Sequence, residues 1–356
     1  MGFKQPAPLA ELAGDLNRLF MKLLITGGAG FIGSNFIHYW FKKYPDDKIV
    51  NLDILTYAGN LENLRDIENN PSYKFVKGDI GDLKGNIELL KAEKIEAIVN
   101  FAAESHNGRA MLEPDIFVKT NVLGTQMLLE AAKEAGLIRF HHISTCEVFG
   151  DLALDENRAF KESDPYAPKT PYNASKAGAN HEVMCYYHTF GLPVTISHCV
   201  NNYGPYQFPE KVIPRFISNL IDNEPIPLFK SSLNKREWIH TEDHCRAIDM
   251  ILKKGKIGEA YNIGTGLEKS IEEIAEAILK RLGKDDSMKK YIEDRPGHDR
   301  RYLLDITKIK NELGWQPKIE FEPGLDEVVE WYKKNEWWWR PLKGKGFVEN
   351  YKEVKK

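Results

Sequence analysis

Two short stretches carry side chains that could do chemistry together. In "HHISTCEVFG", residues 141–150, a strand-like run delivers Thr145, Cys146 and Glu147, a hydroxyl, a thiol and a carboxylate in sequence. In "YNASK", Tyr172 and Lys176 stand one helical turn apart and share a face. A phenol titrates at about 10, too high for a base at neutral pH, but an adjacent ammonium stabilises the phenolate and lowers that value. Such a pair can take the proton of a hydroxyl as a hydride leaves the carbon beneath it, with Ser144 or Thr145 hydrogen-bonding the reacting oxygen. A Tyr and a Lys at this spacing occur by chance in many helices, so the reading depends on the elements that precede them.

Those elements begin at Met21. "KLLIT" is a short apolar strand, "GGAGFIG" a glycine-rich turn, and "SNFIHYWFKKY" a helix whose apolar residues recur at three and four. Gly27, Gly30 and Gly33 fall between strand and helix, where the backbone can approach a pyrophosphate and the helix N-terminus faces its charge. Asp53 closes the next strand, about 20 residues after Gly33, where a carboxylate can accept both ribose hydroxyls of NAD. The same charge would repel a 2'-phosphate, so NAD is expected rather than NADP. The positive nicotinamide ring would add to the charge that lowers the Tyr172 phenol.

Beyond this unit strands and helices keep alternating, through "KIVNLD", "YKFVKGDI", "GNIELLKAE", "AIVNFAA", "FVKTNVLGTQMLLEAAKEA" and "RFHHIST". The pattern predicts an α/β chain with a Rossmann-type doubly wound parallel sheet over 21–200 and a ligand crevice at the carboxyl ends of its strands. After about residue 200 proline becomes frequent and strands sparse, which predicts a smaller, mixed C-terminal domain over 201–341. Within it, "EWIHTED" and "EAYNIGTG", near 236–265, read as strands returning to the sheet. Residues 342–356 form a charged tail. Residues 1–20 read as a short amphipathic helix, either an appended remnant or a small docking helix, and Met21 could itself be a start.

The 356 residues carry 49 basic and 52 acidic side chains, a net charge of -3, mixed along the chain without a basic block. That argues against a nucleic-acid partner. The four cysteines have neither CxxC spacing nor a histidine cluster beside them, so neither a metal site nor a disulfide framework is expected, and a reducing cytoplasm fits. No run of about 18 apolar residues is present, so a soluble protein without membrane attachment is expected.

The glycine turn, the Tyr–Lys pair and the chain length together resemble the extended short-chain dehydrogenase/reductases that act on nucleotide sugars. Within that group, "NLDILTYAGNLENL", "AAESH", "HHISTCEVFGD", "YAPKTPYNASKA", "NNYGPYQFPEKVIP", "REWIHTEDHCRA", "YNIG" and "RPGHDRRYLLD" look like the dTDP-glucose 4,6-dehydratases, in collinear order from Met21 to about Pro341. The resemblance implies oxidation of the hexose at C4 with NAD, removal of the C5 proton, loss of the C6 hydroxyl as water and return of the hydride to C6. Tyr172 and Lys176 become the oxidation pair and Glu147 the C5 base. Cofactor contacts are implied for Phe31, Ile32, Leu55, Thr56, Asp79, Ile80, Ala102, Ala103, Ser105 and Asn202, besides the glycines and Asp53. Substrate contacts are implied for His106, Arg109, Asn201, Glu210, Lys211, Arg236, Asn262, Arg295 and His298. A homodimer packed through two helices of each subunit, around "VLGTQMLLEAAKEA" and "GANHEVMCYYHTF", is implied as well.

Two departures bear on that transfer. The family loop reads like His-Val-Asp-Arg-Ser where this chain has "HNGRA", with Gly108 for Asp and Ala110 for Ser, which touches sugar specificity. The strand-end motif is Thr-Asp-Glu in the family, the Asp protonating the leaving hydroxyl, and Cys146 stands in its place. A thiol is protonated at neutral pH but hydrogen-bonds weakly. The sequence therefore allows a slower 4,6-dehydratase, a relative with a different outcome after C4 oxidation, such as an epimerase or 5,6-dehydratase, or a deliberately altered variant. Set against these, a silent NAD-binding scaffold disagrees with intact Glu147, Tyr172 and Lys176.

Overall fold

The structure is a computed structural model that describes residues 21–294 and 297–345. The expected N-terminal helix, Arg295 and most of the charged tail lie outside the described residues. The strands are β1 (Lys22–Thr26), β2 (Lys48–Asp53), β3 (Tyr73–Lys77), β4 (Ala97–Asn100), β5 (Arg139–Thr145), β6 (Val194–Cys199), β7 (Asn201–Tyr203), β8 (Ile226–Phe229), β9 (Lys235–His240), β10 (Glu259–Ile263), β11 (Glu268–Ser270) and β12 (Lys289–Ile292). Seven of them form one parallel sheet in the order β10-β6-β5-β4-β1-β2-β3.

Both faces of that sheet are buried, as the near-continuous apolar strands require. Because side chains alternate along a strand, Leu24 and Ile98 face one layer while Leu23, Ile25, Ala97 and Val99 face the other. The first layer holds Leu90, Leu128, Leu129 and Val183 from the helices Leu83–Glu93, Thr125–Ala135 and Pro171–Phe190. The second holds Phe36, Ile37 and Trp40 from the helix Phe31–Lys43, with Ile248 and Leu252 from Thr241–Lys254. The strand order reverses at β1, between β4 on one side and β2 on the other, and the crevice of such a sheet opens there.

Of the two expected strand returns, "EAYNIGTG" supplies β10, which pairs with β6 at the sheet edge. "EWIHTED" does not join this sheet. It supplies β9, which pairs with β7 and β11 in a separate three-stranded sheet. A third apolar cluster, drawn from 203–339 and including Phe216, Ile217, Trp238, Leu325 and Trp339, lies around that sheet and the β8–β12 pair.

Candidate active site

One cavity of about 800 Å³ runs from the glycine turn across the ends of β1, β4 and β5 to the C-terminal cluster. At its first end the chain has no room for side chains. A Cβ on Gly33 would sit 2.4 Å from the Gly27 carbonyl oxygen, and Gly27, at φ +67, would press a Cβ to 2.7 Å from the Ala102 backbone nitrogen. The helix Phe31–Lys43 follows with Gly30 at its N-cap and no side-chain cap. Asp53 closes β2 with its carboxylate accepting from the Ala29 and Leu55 backbone N–H groups at 3.0 and 2.8 Å. Burial pushes its pKa up. A glycine floor of this depth, an open helix terminus and a fixed carboxylate fit a dinucleotide.

At the end of β5, Ser144, Thr145, Glu147, Tyr172 and Lys176 all line the cavity. Thr170 caps the helix Pro171–Phe190, its Oγ1 accepting the Asn173 N–H at 3.3 Å, so Tyr172 and Lys176 fall in the first two turns against β5. The phenol is held well above its ordinary range by burial first and then by the Glu147 charge, while a hydrogen bond with Thr145 pulls it down. The direction is opposite to that expected from the Tyr–Lys spacing, and the reason is geometric. Lys176 Nζ donates to the Ile143 carbonyl at 2.7 Å and lies 3.3 Å from His142 Nε2. Burial alone brings the ammonium down to about 7.

Cys146 is placed otherwise. Only 1% exposed, it packs among Val148, Phe149, Phe160 and Tyr302 and is absent from the cavity wall. Burial and the neighbouring Glu147 charge push its thiol well up, so it stays protonated.

The remaining expected residues divide. Gly27, Gly30, Phe31, Ile32, Gly33, Asp53, Thr56, Asp79, Ile80, Ala102, Ala103, Ser105 and Asn202 line the cavity, whereas Leu55 does not. His106, Asn201, Glu210, Lys211, Arg236 and His298 also line it. His106 Nε2 lies 3.6 Å from Glu210 Oε2, and Lys211 donates to the Ser105 carbonyl at 3.2 Å. Arg236 bonds the Asp299 carbonyl at 2.7 Å and stacks 4.8 Å over the Tyr302 ring. Arg109 is off the wall: it packs 4.5 Å over Tyr57 and pairs with Glu113 at 3.1 Å and Glu104 at 3.7 Å. Asn262 is off it too, fully buried on β10 against His198, Phe160 and Asp305.

Sequence reasoning missed Asn107 and Asn121. Asn107 joins Glu147 to Thr170. Asn121 lies in a π-helical stretch, Val118–Gly124, where it accepts the Glu104 N–H at 2.9 Å and donates to the Glu104 carbonyl at 3.0 Å and to Ser175 Oγ at 2.9 Å. An asparagine inside an otherwise apolar helix pattern was the available signal, since it favours the helix only where its amide finds partners.

Among the described residues no group of three or more His, Cys, Asp or Glu side chains is arranged to hold a metal ion, and no helix is long and apolar enough to cross a membrane. A doubly wound sheet with a Tyr–Lys helix beside the cavity at its strand ends is the arrangement of an extended short-chain dehydrogenase/reductase. The chain belongs to the family described as GDP-mannose 4,6 dehydratase, which matches residues 24–328. It is 45% identical over 333 residues to a dTDP-glucose 4,6-dehydratase of Xanthomonas campestris, covering 88% of this chain and 94% of the relative. Among solved structures it is similar to DesIV, a dTDP-glucose 4,6-dehydratase from Streptomyces venezuelae crystallised with NAD and TYD bound, at a TM-score of 0.88 and 47% identity over 91% of this chain and all of that one. A UDP-glucose 4-epimerase from Thermotoga maritima matches at a TM-score of 0.82 and 28% identity, covering 89% of this chain and all of that one.

Proposed function

We propose that the protein is an NAD-dependent 4,6-dehydratase of a nucleoside-diphosphate hexose, converting dTDP-glucose to dTDP-4-keto-6-deoxyglucose. The observation that carries this reading is the convergence of Thr145, Glu147, Tyr172 and Lys176 at the end of β5, in the cavity floored by Gly27, Gly33 and Asp53. The relatives' shared activity supports it.

NAD, when bound, accepts the C4 hydride and later supplies it to C6. Every proton step belongs to the chain. Burial holds Tyr172 protonated beside Glu147; the positive ring of the bound cofactor would offset that and favour the phenolate, which takes the proton of the C4 hydroxyl while Thr145 hydrogen-bonds that oxygen. Lys176, anchored to the Ile143 carbonyl, sets the charge beneath the phenol. Glu147 then removes the C5 proton, which the new 4-keto group has made acidic. The electron pair passes toward the C4 oxygen and returns to expel the C6 hydroxyl. At position 146 a buried, protonated thiol gives that departure little help, so the proton just taken by Glu147 follows the leaving oxygen and water departs. Once the hydride is back on C6, C5 takes a proton from solvent through Glu147, and Tyr172 releases to solvent the proton it took from the C4 hydroxyl. Beyond the sugar, Arg236 and His298 serve the diphosphate and nucleotide.

The protein acts as a cytoplasmic homodimer. Four free cysteines, three of them buried, suit a reducing compartment, and Phe190 stands exposed on a helical segment expected to meet a second copy. A monomer in light scattering at micromolar concentration contradicts the dimer. Incubation with several nucleotide hexoses, with products read by NMR, tests the activity. The 4-keto-6-deoxy product from dTDP-glucose is expected, and a C4 epimer or a 5,6-ene in its place overturns the reading.

A further inference from the structure

Asn107 begins the helix Asn107–Leu112, on the loop that leaves β4, and lines the cavity. Its Nδ2 donates to Glu147 Oε2 at 2.9 Å, and its Oδ1 accepts from Thr170 Oγ1 at 2.9 Å. Chemistry fixes the sense of this amide. An ionised Glu147 carboxylate can only accept, whereas the Thr170 hydroxyl can donate to Asn107 Oδ1 while its oxygen accepts the Asn173 N–H in capping the helix. The amide therefore turns its N–H group, not its oxygen, toward the carboxylate.

We infer that Asn107 is a positioning residue that keeps Glu147 ionised and fixes its carboxylate for removal of the C5 proton of the sugar. The inference rests on the reading of Glu147 as the C5 base. A hydrogen bond donated to a carboxylate favours its charged form and is stronger than a neutral one. The link also indexes the base against the oxidising pair, because Thr170 begins the helix that carries Tyr172 and Lys176.

Among the described residues, the titratable groups that feel the Glu147 charge do not compete for its titration. Cys146 on the same turn, Tyr172 from the helix and Tyr302 from the C-terminal segment all feel its charge, and burial together with that charge holds each of them protonated above its ordinary range. Among the described residues, Arg236 is a cation whose charge acts on both Cys146 and Tyr302.

The test measures exchange of the C5 hydrogen with solvent against pH in the holoenzyme, with the transient reduced cofactor as a separate readout of C4 oxidation. Asn107→Val should move the ascending limb of exchange up by about one pH unit, a loss approaching about tenfold below the limb, with exchange recovering above it and the transient unchanged. Asn107→Asp, which sets a like charge beside the base, should move the limb further in the same direction. A limb at the wild-type position in both variants overturns the inference, whatever their rates. Glu147→Gln separates the two readings: full exchange there removes the base assignment itself, whereas loss of exchange with unmoved limbs in the Asn107 variants removes only the role of Asn107.

Discussion

Lys176 Nζ donates to the Ile143 carbonyl at 2.7 Å, tying the reactive helix to the strand that ends in Thr145 and Glu147. The ammonium so held lies out of water, and burial brings its pKa from the ordinary 10.5 to about 7. Between those two values the unfolded chain binds the proton and the folded one does not. Stability contributed at this position therefore rises with pH through that window and is lowest below about pH 7. Lys176→Met removes the linkage. In the cofactor-stripped protein the variant should gain more in thermal midpoint over wild type at pH 7.5 than at pH 10, and an equal gain at both would count against the buried-amine account.

Tyr172→Phe should leave cofactor bound and remove most C4 oxidation, a loss of about a hundredfold to ten-thousandfold. Phe keeps the ring that packs edge-on to Phe117 at 6.3 Å, so the change is confined to the hydroxyl. Turnover near wild type would end the assignment.

Glu147 and Cys146 should fail differently. Glu147→Gln should stop C5 exchange. Cys146→Asp would place a carboxyl that the apolar cluster disfavours; turning it toward the cavity beside Glu147 relieves that cost and brings a protonated donor to the leaving hydroxyl. Elimination should then accelerate by about tenfold or more with C4 oxidation little changed, at a stability cost of about 1–3 kcal/mol. Single-turnover product formation alongside the cofactor transient checks both, and an unchanged or slower elimination in Cys146→Asp would show that position 146 takes no part.

Asp53 should give strong preference for NAD over NADP when the stripped protein is reconstituted. Asp53→Asn should narrow it, because the remaining amide no longer repels a 2'-phosphate. Equal reconstitution of the wild type by both cofactors would contradict the role.

What the sequence made legible was local. The glycine turn, Asp53 and the Tyr172–Lys176 spacing are short-range patterns whose physics is contained in a few residues. Placement of single side chains was less legible. Cys146 and Glu147 are neighbours in the chain, yet the 3-10 turn Cys146–Phe149 sends one into the core and the other to the cavity. Arg109 pairs with Glu104 and Glu113 beside it, which a motif match does not reveal. Strand β9 is legible as a strand, but its partners β7 and β11 come from segments that only the tertiary fold brings together.

The wide turn Val118–Gly124 gives the helical segment between β4 and β5 a change of phase. Before and within it, Ile116, Lys119, Thr120 and Leu123 look into the cavity; after it, Leu128, Leu129, Ala131 and Ala132 look into the sheet. One continuous rod thus serves two walls that a regular helix of the same length would present out of step. Deleting a single residue from 118–124 would rewind the rod, swinging Asn121 away from Glu104 and Ser175 while the sheet-facing half stayed in register. Length in this stretch is accordingly under tighter constraint than residue identity.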